Sequence, residues 1–236
     1  MSTPTAPKLR EQDRKTYEVS RRWPLVSGSI ALALVLIGGV LIALRQFAVV
    51  PYSIDSAWMD ELYENRTPAL ENVAYFFDWM GGGIVGVFVV PIALAIVLIA
   101  MKRKWGAVYF ISACVVSAGL VQLVKNLVER PRPEQILVHA DFGSFPSGHT
   151  ANAATLAVVL GFIGRRWWVW AIGALWVIGM LLSRNYLGAH WLTDTLGGLV
   201  LGAAVALILW APFAHRLHRE TLAKRDIEPV AGVPAS

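Results

Sequence analysis

The chain of 236 residues is too apolar for an ordinary soluble domain, because 56% of its residues are hydrophobic and its mean hydropathy is +0.54. The formal net charge of +5 does not indicate nucleic acid as a partner, since the basic residues lie beside apolar segments, where lipid headgroups are the better partner. The single cysteine, Cys114, excludes an internal disulfide, and its apolar surroundings favour a small buried hydrophobic side chain.

Six apolar segments, most of them close to the length of a bilayer span, follow one another along the chain. They cover residues 23–44, 84–101 with an upstream extension at 69–80, 105–124, 150–164, 167–182 and 192–213. The first is longer than the roughly 7–15 apolar residues of a signal peptide, so we interpret it as a retained span. The sequence therefore predicts an all-α, polytopic membrane protein: a six-transmembrane-helix bundle at 23–214, between an N-terminal tail, 1–22, and a C-terminal tail, 215–236.

The basic residues are distributed unevenly between the two sides of this predicted bundle. The side opposite the termini carries only six of the 21 lysines and arginines: Arg45, Arg66, Lys125, Arg130, Arg132 and Arg184. Because cytoplasmic loops are enriched in positive charge, the sequence predicts a cell-membrane protein with both termini in the cytoplasm.

The loop at residues 51–68 and the three glycines at 81–83 interrupt the apolar pattern. In the loop, Trp58, Leu62 and Tyr63 fall at roughly helical spacing, which predicts a short interfacial helix on the outer leaflet. A solvated polar face is the favoured explanation of the acidic residues in this loop, and a metal site is the alternative. These residues are Asp55, Asp60, Glu61 and Glu64. The glycines predict a helix break or close helix packing.

Three polar stretches lie at the ends of apolar segments, and the span count places all three on the outer face. They are residues 125–133 (KNLVERPRP), 146–149 (PSGH) and 183–194 (SRNYLGAHWLTD). Ionisable residues near hydrocarbon are costly and therefore indicate a functional site. Fixed cations together with two histidines suit phosphoryl transfer better than most other chemistries.

The second and third stretches each allow a functional and a structural interpretation. Ser147 is a good helix N-cap and Gly148 lets the backbone approach a ligand, so the helix start at this point could bind an anion. A plain serine cap beside an unrelated histidine, His149, is the alternative. His190 and Asp194 share a helix face, so the carboxylate could fix the imidazole tautomer and leave the other nitrogen as a nucleophile. An interfacial histidine with a capping aspartate is the alternative.

The basic residues of these stretches are either phosphate ligands or interfacial side chains that reach the headgroups. Lys125, Arg132 and Arg184 congregate on the side where positive charge is otherwise scarce, which favours phosphate binding. For Arg130 we favour an orientation toward the headgroups over substrate binding.

Taken together, the three stretches resemble the signature of the type-2 phosphatidic acid phosphatase superfamily of membrane lipid phosphatases. That signature has the form K-x6-R-P, P-S-G-H and S-R-x5-H-x3-D. In this chain, Lys125 precedes Arg132-Pro133 with the correct spacing, and PSGH is intact at 146–149. Ser183-Arg184, His190 and Asp194 complete the third part without a departure from the pattern.

The resemblance implies a role for each matching residue. His190 would attack phosphorus and form a phosphohistidine, with Asp194 orienting and stabilising it. His149 would protonate the leaving oxygen and then activate water. The phosphate oxygens would be held by Lys125, Arg132, Arg184, Ser147 and the Gly148 amide. Fixed cations would take the place of a metal ion, so no metal or other cofactor is expected.

The motifs recognise the phosphate and not the lipid tail, so the substrate prediction is broader than the site prediction. A lipid-linked phosphate or diphosphate is expected, with undecaprenyl diphosphate as the first choice and phosphatidylglycerol phosphate or phosphatidate as the second. The first alternative is a non-catalytic lipid-phosphate transporter or binding protein. The second is an enzyme similar to the vanadium-dependent haloperoxidases, which the apolar segments disfavour because those enzymes are soluble. The motifs contain no information on oligomeric state.

Overall fold

The computed structural model describes residues 11–46 and 53–225, and within these ranges every regular element is helical. This confirms the predicted all-α class. The elements are α1 (Glu11–Gln46), α2 (Ser53–Glu64), α3 (Pro68–Gly81), a π-helical turn (Val85–Val89), α4 (Val90–Ala100), α5 (Lys104–Val128), α6 (Gly148–Gly164), α7 (Trp167–Tyr186) and α8 (Leu192–Arg225). Helix therefore also covers 11–22 and 215–225, inside the stretches predicted as tails, whereas residues 1–10 and 226–236 lie outside the described residues.

Helix α6 lies at the centre of the bundle and packs against α5, α7 and α8. Small residues allow the close approach to α8: a Cβ atom on Gly198 would overlap the Ser147 carbonyl, and one on Gly202 would overlap the Ala151 carbonyl. Without a hydrophobic driving force between helices in lipid, such close backbone contacts are a main source of association. Large apolar side chains on α1, α4 and α7 instead point outward and are exposed, as expected for surfaces in contact with lipid.

The described residues contain four helices that are long and apolar enough to cross a membrane. These are Arg22–Leu44, Lys104–Val128, Trp167–Tyr186 and Leu192–Thr221. Helix α3 and the segment Val85–Ala100 form a fifth candidate if they are taken as one span bent by 50°. Helix α6 is apolar but has only 17 residues, so length and composition support four or five spans and do not establish the predicted six.

The predicted break at the three glycines is confirmed. Helix α3 ends at Gly81, and Gly83 has a φ of +56°, a left-handed conformation that side chains with a Cβ atom rarely adopt. The predicted short helix in the loop is also confirmed as α2. Both features turn out to contact the functional site.

Candidate active site

The residues of the three polar stretches meet at one end of the bundle, although they come from four helices and two connections. Lys125 lies near the end of α5, His149 at the start of α6, Arg184 near the end of α7 and His190 just before α8. Together with Arg132 they line one cavity of about 730 Å³. The predicted clustering of these residues is therefore what the structure shows.

The imidazole of His190 is buried and held in one tautomer by a backbone carbonyl. Its Nδ1 lies 2.8 Å from the carbonyl oxygen of Ser144, which can only accept a hydrogen bond, so Nδ1 carries the proton. Its Nε2 is therefore unprotonated, and its lone pair accepts a hydrogen bond from Nη1 of Arg132 at 3.3 Å, a donor that a bound phosphate would compete for. This geometry leaves Nε2 available as a nucleophile at the edge of the cavity.

Asp194 does not make the hydrogen bond to His190 that the spacing predicts. Its nearer carboxylate oxygen, Oδ2, lies 3.7 Å from Nδ1 of His190, which is beyond hydrogen-bonding distance. That oxygen accepts the backbone N–H of Trp191 at 2.8 Å instead, because Asp194 caps the first turn of α8. Asp194 is nevertheless fully buried and close enough to act on His190 through its charge.

Burial lowers the pKa of His190 well below the ordinary histidine value of 6.5. The nearby cations Arg184, Arg132 and Lys125 act in the same direction, since a second positive charge beside them is unfavourable. His190 is therefore neutral near pH 7, as a nucleophilic imidazole must be.

His149 contacts a carboxylate that the sequence analysis did not single out. Its Nε2 lies 3.3 Å from Oδ1 of Asp78, near the end of α3, and Nη1 of Arg184 is hydrogen-bonded to the same oxygen. The available signal was a carboxylate among the aromatic residues near the end of the apolar stretch 69–80, because an acid in a membrane segment indicates a partner. Asp78 thus contacts both His149 and Arg184, a predicted catalytic histidine and a predicted phosphate ligand.

The glycines at the end of α3 allow the backbone to pack directly on His149. A Cβ atom on Gly82 would overlap the imidazole ring of His149, and one on Gly81 would overlap the side chain of Met180. A side chain at position 82 would displace the imidazole, so the predicted helix break also forms the wall behind His149.

The sequence predicted both an N-cap and a close approach to a ligand at the start of α6, and two adjacent residues, Ser147 and Gly148, are concerned. Ser147 is fully buried, and its Oγ accepts the backbone N–H of Thr150 at 3.5 Å, which confirms the predicted N-cap. Gly148 lines the cavity at the first turn of α6. The predicted contact of Ser147 with phosphate stays a prediction.

Lys125 and Arg132 are held in place by the loop before α6. Lys125 Nζ donates to the carbonyl of Gly143 at 2.8 Å, and Arg132 Nη2 lies 3.1 Å from Oδ1 of Asp141. Asp141 is largely exposed, so its attraction for Arg132 is screened by water. A more highly charged anion in the cavity can therefore compete for both cations.

The expected orientation of Arg130 toward the headgroups is wrong. Arg130 is only 5% exposed, and its guanidinium binds Asp55 and Asp194, because two buried carboxylates need a shared counter-charge. The solvated-face interpretation is wrong for Asp55 as well, which is fully buried.

The helices are apolar, and at one end of the bundle three cations and two histidines surround a cavity. This arrangement is that of an integral membrane protein with a positively charged cavity. Residues 106–217 match the family model of the PAP2 superfamily. The chain belongs to the PAP2 superfamily.

Two curated relatives are similar to this chain over different lengths. The decaprenylphosphoryl-5-phosphoribose phosphatase of Mycobacterium tuberculosis is 30% identical over 173 residues, which cover 70% of this chain and 89% of the relative. The putative undecaprenyl-diphosphatase YbjG of Escherichia coli is 36% identical over 100 residues, which cover 39% of this chain and 49% of the relative. The chain spans about half the length of the first curated relatives that it matches.

The fold is similar to that of a crystal structure from Bacillus subtilis, described as a transmembrane PAP2 type phosphatidylglycerolphosphate phosphatase. The TM-score is 0.63 at 22% sequence identity, and the match covers 84% of this chain and 98% of the other. At this identity the likeness establishes the fold.

Proposed function

We propose that this protein is a membrane phosphatase that hydrolyses a lipid-linked phosphate or diphosphate through a phosphohistidine at His190. The observation that carries the proposal is the composition of the cavity wall. One end of the cavity is polar and includes His190, Arg184 and Lys125. Another part, formed by the π-helical turn, α4 and α5, includes the exposed apolar side chains of Phe88, Ile92, Ile111 and Val115. Such a cavity suits a ligand with a charged head and a hydrocarbon tail.

The proposed first step joins Nε2 of His190 to phosphorus and breaks the bond from phosphorus to the leaving oxygen. His149 donates a proton to that oxygen, and Lys125, Arg132 and Arg184 hold the remaining phosphate oxygens. In the second step His149 accepts a proton from water, whose oxygen attacks phosphorus and breaks the bond to Nε2. Inorganic phosphate then leaves, and His190 is neutral again. Positioning and charge supply most of the catalysis in phosphoryl transfer, and the site provides both.

Relatives of both substrate classes match this chain. Undecaprenyl diphosphate stays the first choice, and the names of two relatives contain a polyprenyl phosphate or diphosphate. Phosphatidylglycerol phosphate or phosphatidate stays the second. In either case the phosphate would bind at the cations while the tail lies against α4 and α5.

The proposal is tested by phosphate release from purified protein in detergent with excess EDTA. Long-chain polyprenyl diphosphate and diacyl phosphates are compared with glycerol 3-phosphate, which has no tail. We expect hydrolysis of the lipids to exceed that of glycerol 3-phosphate by at least about tenfold, because tail burial contributes about 0.8 kcal/mol per CH₂ group. Loss of activity with EDTA would contradict the metal-free mechanism. Tight lipid binding without phosphate release would instead indicate the binding or transport alternative.

Two adjacent valines provide a matched control for the tail site. Val115 lines the cavity and Val116 does not, yet both are exposed residues of α5. Val115→Trp is expected to raise the KM for long-chain lipids several-fold and to leave glycerol 3-phosphate hydrolysis unchanged. Val116→Trp is expected to change neither. Equal effects of the two substitutions would show that the lipid tail does not bind in this part of the cavity.

We also propose that α6 is a sixth span, with the site at the outer face and both termini in the cytoplasm. The short α6 lies within the bundle, where its neighbours shield it, so it need not match the full bilayer thickness. The basic clusters at 102–104 and 165–166 lie at the connections that lead into α5 and α7, at the end of the bundle opposite to the cavity, which supports a cytoplasmic position for that end.

Labelling of intact cells with a membrane-impermeant maleimide tests this orientation. In a Cys114→Ser background, the exposed residues Phe142 and Lys104 at opposite ends of the bundle are each replaced by cysteine. Phe142→Cys should react in intact cells, and Lys104→Cys should react only after the membrane is opened. The reverse pattern would place the site in the cytoplasm.

A further inference from the structure

A buried charge array extends the site beyond the residues of the signature. It consists of Asp55 on α2, Arg130 in the connection after α5, and Asp194 on α8. The two carboxylates are fully buried and Arg130 is 5% exposed. Arg130 Nη2 donates to Asp55 Oδ2 at 2.7 Å, and Arg130 Nη1 donates to Asp194 Oδ1 at 2.5 Å. One guanidinium is therefore shared between two carboxylates.

Thr193 fixes the geometry of this array. Its backbone N–H donates to Asp55 Oδ1 at 2.9 Å, and its hydroxyl donates to Asp55 Oδ2 at 2.8 Å. The same hydroxyl accepts a hydrogen bond from Arg130 Nη1 at 2.7 Å. Helix α2 is thus attached to the residue that directly precedes Asp194.

A second contact connects α2 to the nucleophile's own backbone. Trp58 Nε1 donates to the side-chain oxygen of Asn185 at 3.3 Å, and Asn185 Nδ2 donates to the carbonyl oxygen of His190 at 2.9 Å. Asn185 is fully buried. The loop that carries His190 is therefore held by α2 from two directions.

The charges of the array do not cancel. One arginine and two aspartates leave an excess of one negative charge, and the nearer Asp194 oxygen lies 3.7 Å from Nδ1 of His190. Attack on phosphorus makes the imidazole of His190 cationic, because Nδ1 keeps its proton while Nε2 forms the new bond. An excess negative charge in a water-poor interior stabilises that cation far more than it would in water. Without Asp55, Arg130 would neutralise Asp194 and remove this excess.

We propose that Asp55 and Arg130 are positioning residues that keep Asp194 in place and keep its negative charge effective beside His190. This makes α2 part of the catalytic assembly, and it rests on the proposed phosphohistidine mechanism. Neither residue lines the cavity, so neither contacts the substrate in this arrangement. Their effect is expected on kcat and not on KM.

A double-mutant cycle tests the coupling through Asp194. Asp55→Asn keeps the size of the side chain and is expected to lower kcat about tenfold, with KM within about twofold of the wild type. In an Asp194→Asn background the same substitution is expected to lower kcat clearly less than in the wild type, because no carboxylate beside His190 is left for Arg130 to displace or neutralise. Asp60→Asn, an exposed position on the same helix, is the matched control. An equal fall in kcat in both backgrounds would show that Asp55 only attaches α2, and this would overturn the proposal.

Thermal unfolding in detergent tests the array without any use of activity. Arg130→Gln leaves two buried carboxylates with no cation and is expected to lower the unfolding temperature strongly. Adding Asp55→Asn to that variant removes one of these charges and should recover part of the loss. Arg130→Lys, which keeps a cation, should lie between the wild type and Arg130→Gln in both stability and kcat. If the double variant Asp55→Asn/Arg130→Gln were less stable than Arg130→Gln alone, the three residues would not form the proposed charge array.

The two readouts separate this inference from the proposed function. A wild-type protein that releases no phosphate from any lipid would overturn the function and, with it, the effect on kcat. The unfolding pattern would still decide whether the three charges form the array. An active wild type with an unaltered kcat in folded Asp55→Asn would overturn the inference and leave the function in place.

Discussion

Replacement of His190 by alanine is expected to lower phosphate release by about 10⁴-fold and to abolish labelling of the protein by a ³²P-phosphorylated substrate. The reason is geometric. The Ser144 carbonyl holds the proton on Nδ1, and this leaves Nε2 as the unprotonated nitrogen at the cavity. The lowered pKa of His190 keeps that nitrogen unprotonated near neutral pH. Alanine removes the only atom to which this mechanism transfers the phosphoryl group.

His149→Ala is expected to give a different result in the same assay. It should lower turnover by about 10²–10⁴-fold, the usual contribution of a general acid or base. With a substrate such as p-nitrophenyl phosphate, whose leaving group needs no proton, the phosphoenzyme should form and then accumulate, because water is no longer activated. Alkaline quenching preserves a phosphohistidine for detection by mass spectrometry. His218→Ala, an exposed position near the far end of α8, is the control.

Two outcomes would contradict this assignment. Full turnover by His190→Ala would show that His190 is not the nucleophile. If a phosphoenzyme still forms in His190→Ala and its phosphate lies on another residue, that residue is the nucleophile.

The second large effect is expected for Asp78→Asn, with kcat lowered by about 10–100-fold. The Asp78 carboxylate lies 3.3 Å from Nε2 of His149 and binds Arg184 through the same oxygen. Its charge favours the protonated imidazole that must donate to the leaving oxygen. The amide of asparagine keeps the size of the side chain but removes this charge. Less of His149 is therefore protonated when the substrate is bound, so fewer enzyme molecules can donate a proton to the leaving oxygen.

The KM of Asp78→Asn distinguishes this role from simple phosphate binding. The wild-type carboxylate engages Arg184, so its removal frees the guanidinium and should leave the KM unchanged or lower it. Steady-state kinetics with a long-chain lipid phosphate measure both constants. Glu71→Gln on the same helix is the matched control. A higher kcat in Asp78→Asn would instead show that Asp78 only blocks the phosphate position.

The parts of the site that the sequence predicted share a physical basis. The cations and histidines lie at helix ends beside hydrocarbon, where their cost indicates function. The Ser147 cap and the break at the three glycines depend on neighbouring residues alone, and both are confirmed. The same local reasoning gave the helices of the apolar segments, although not the number of spans.

The sequence alone failed where a residue's partner lies far along the chain. Arg130 read by itself is an interfacial arginine, and Asp55 is one acid among four in a polar loop. Their pairing joins positions 75 residues apart, and the contact of Asp78 with Arg184 joins positions 106 residues apart. The tautomer of His190 was another failure of this kind, since a backbone carbonyl that any residue could supply makes the hydrogen bond assigned to Asp194.

The sequence by itself therefore determined the all-helical membrane class and the family signature, and it predicted the set of groups proposed to act on phosphate. The tertiary structure alone decided which carboxylate faces which imidazole, and it brought Asp78 and Asp55 to the site. The reason is that helix ends and residue spacing are local properties, encoded within a few turns of chain. Charge pairing in a buried site depends instead on how distant helices pack, and on the need of every buried charge for a partner.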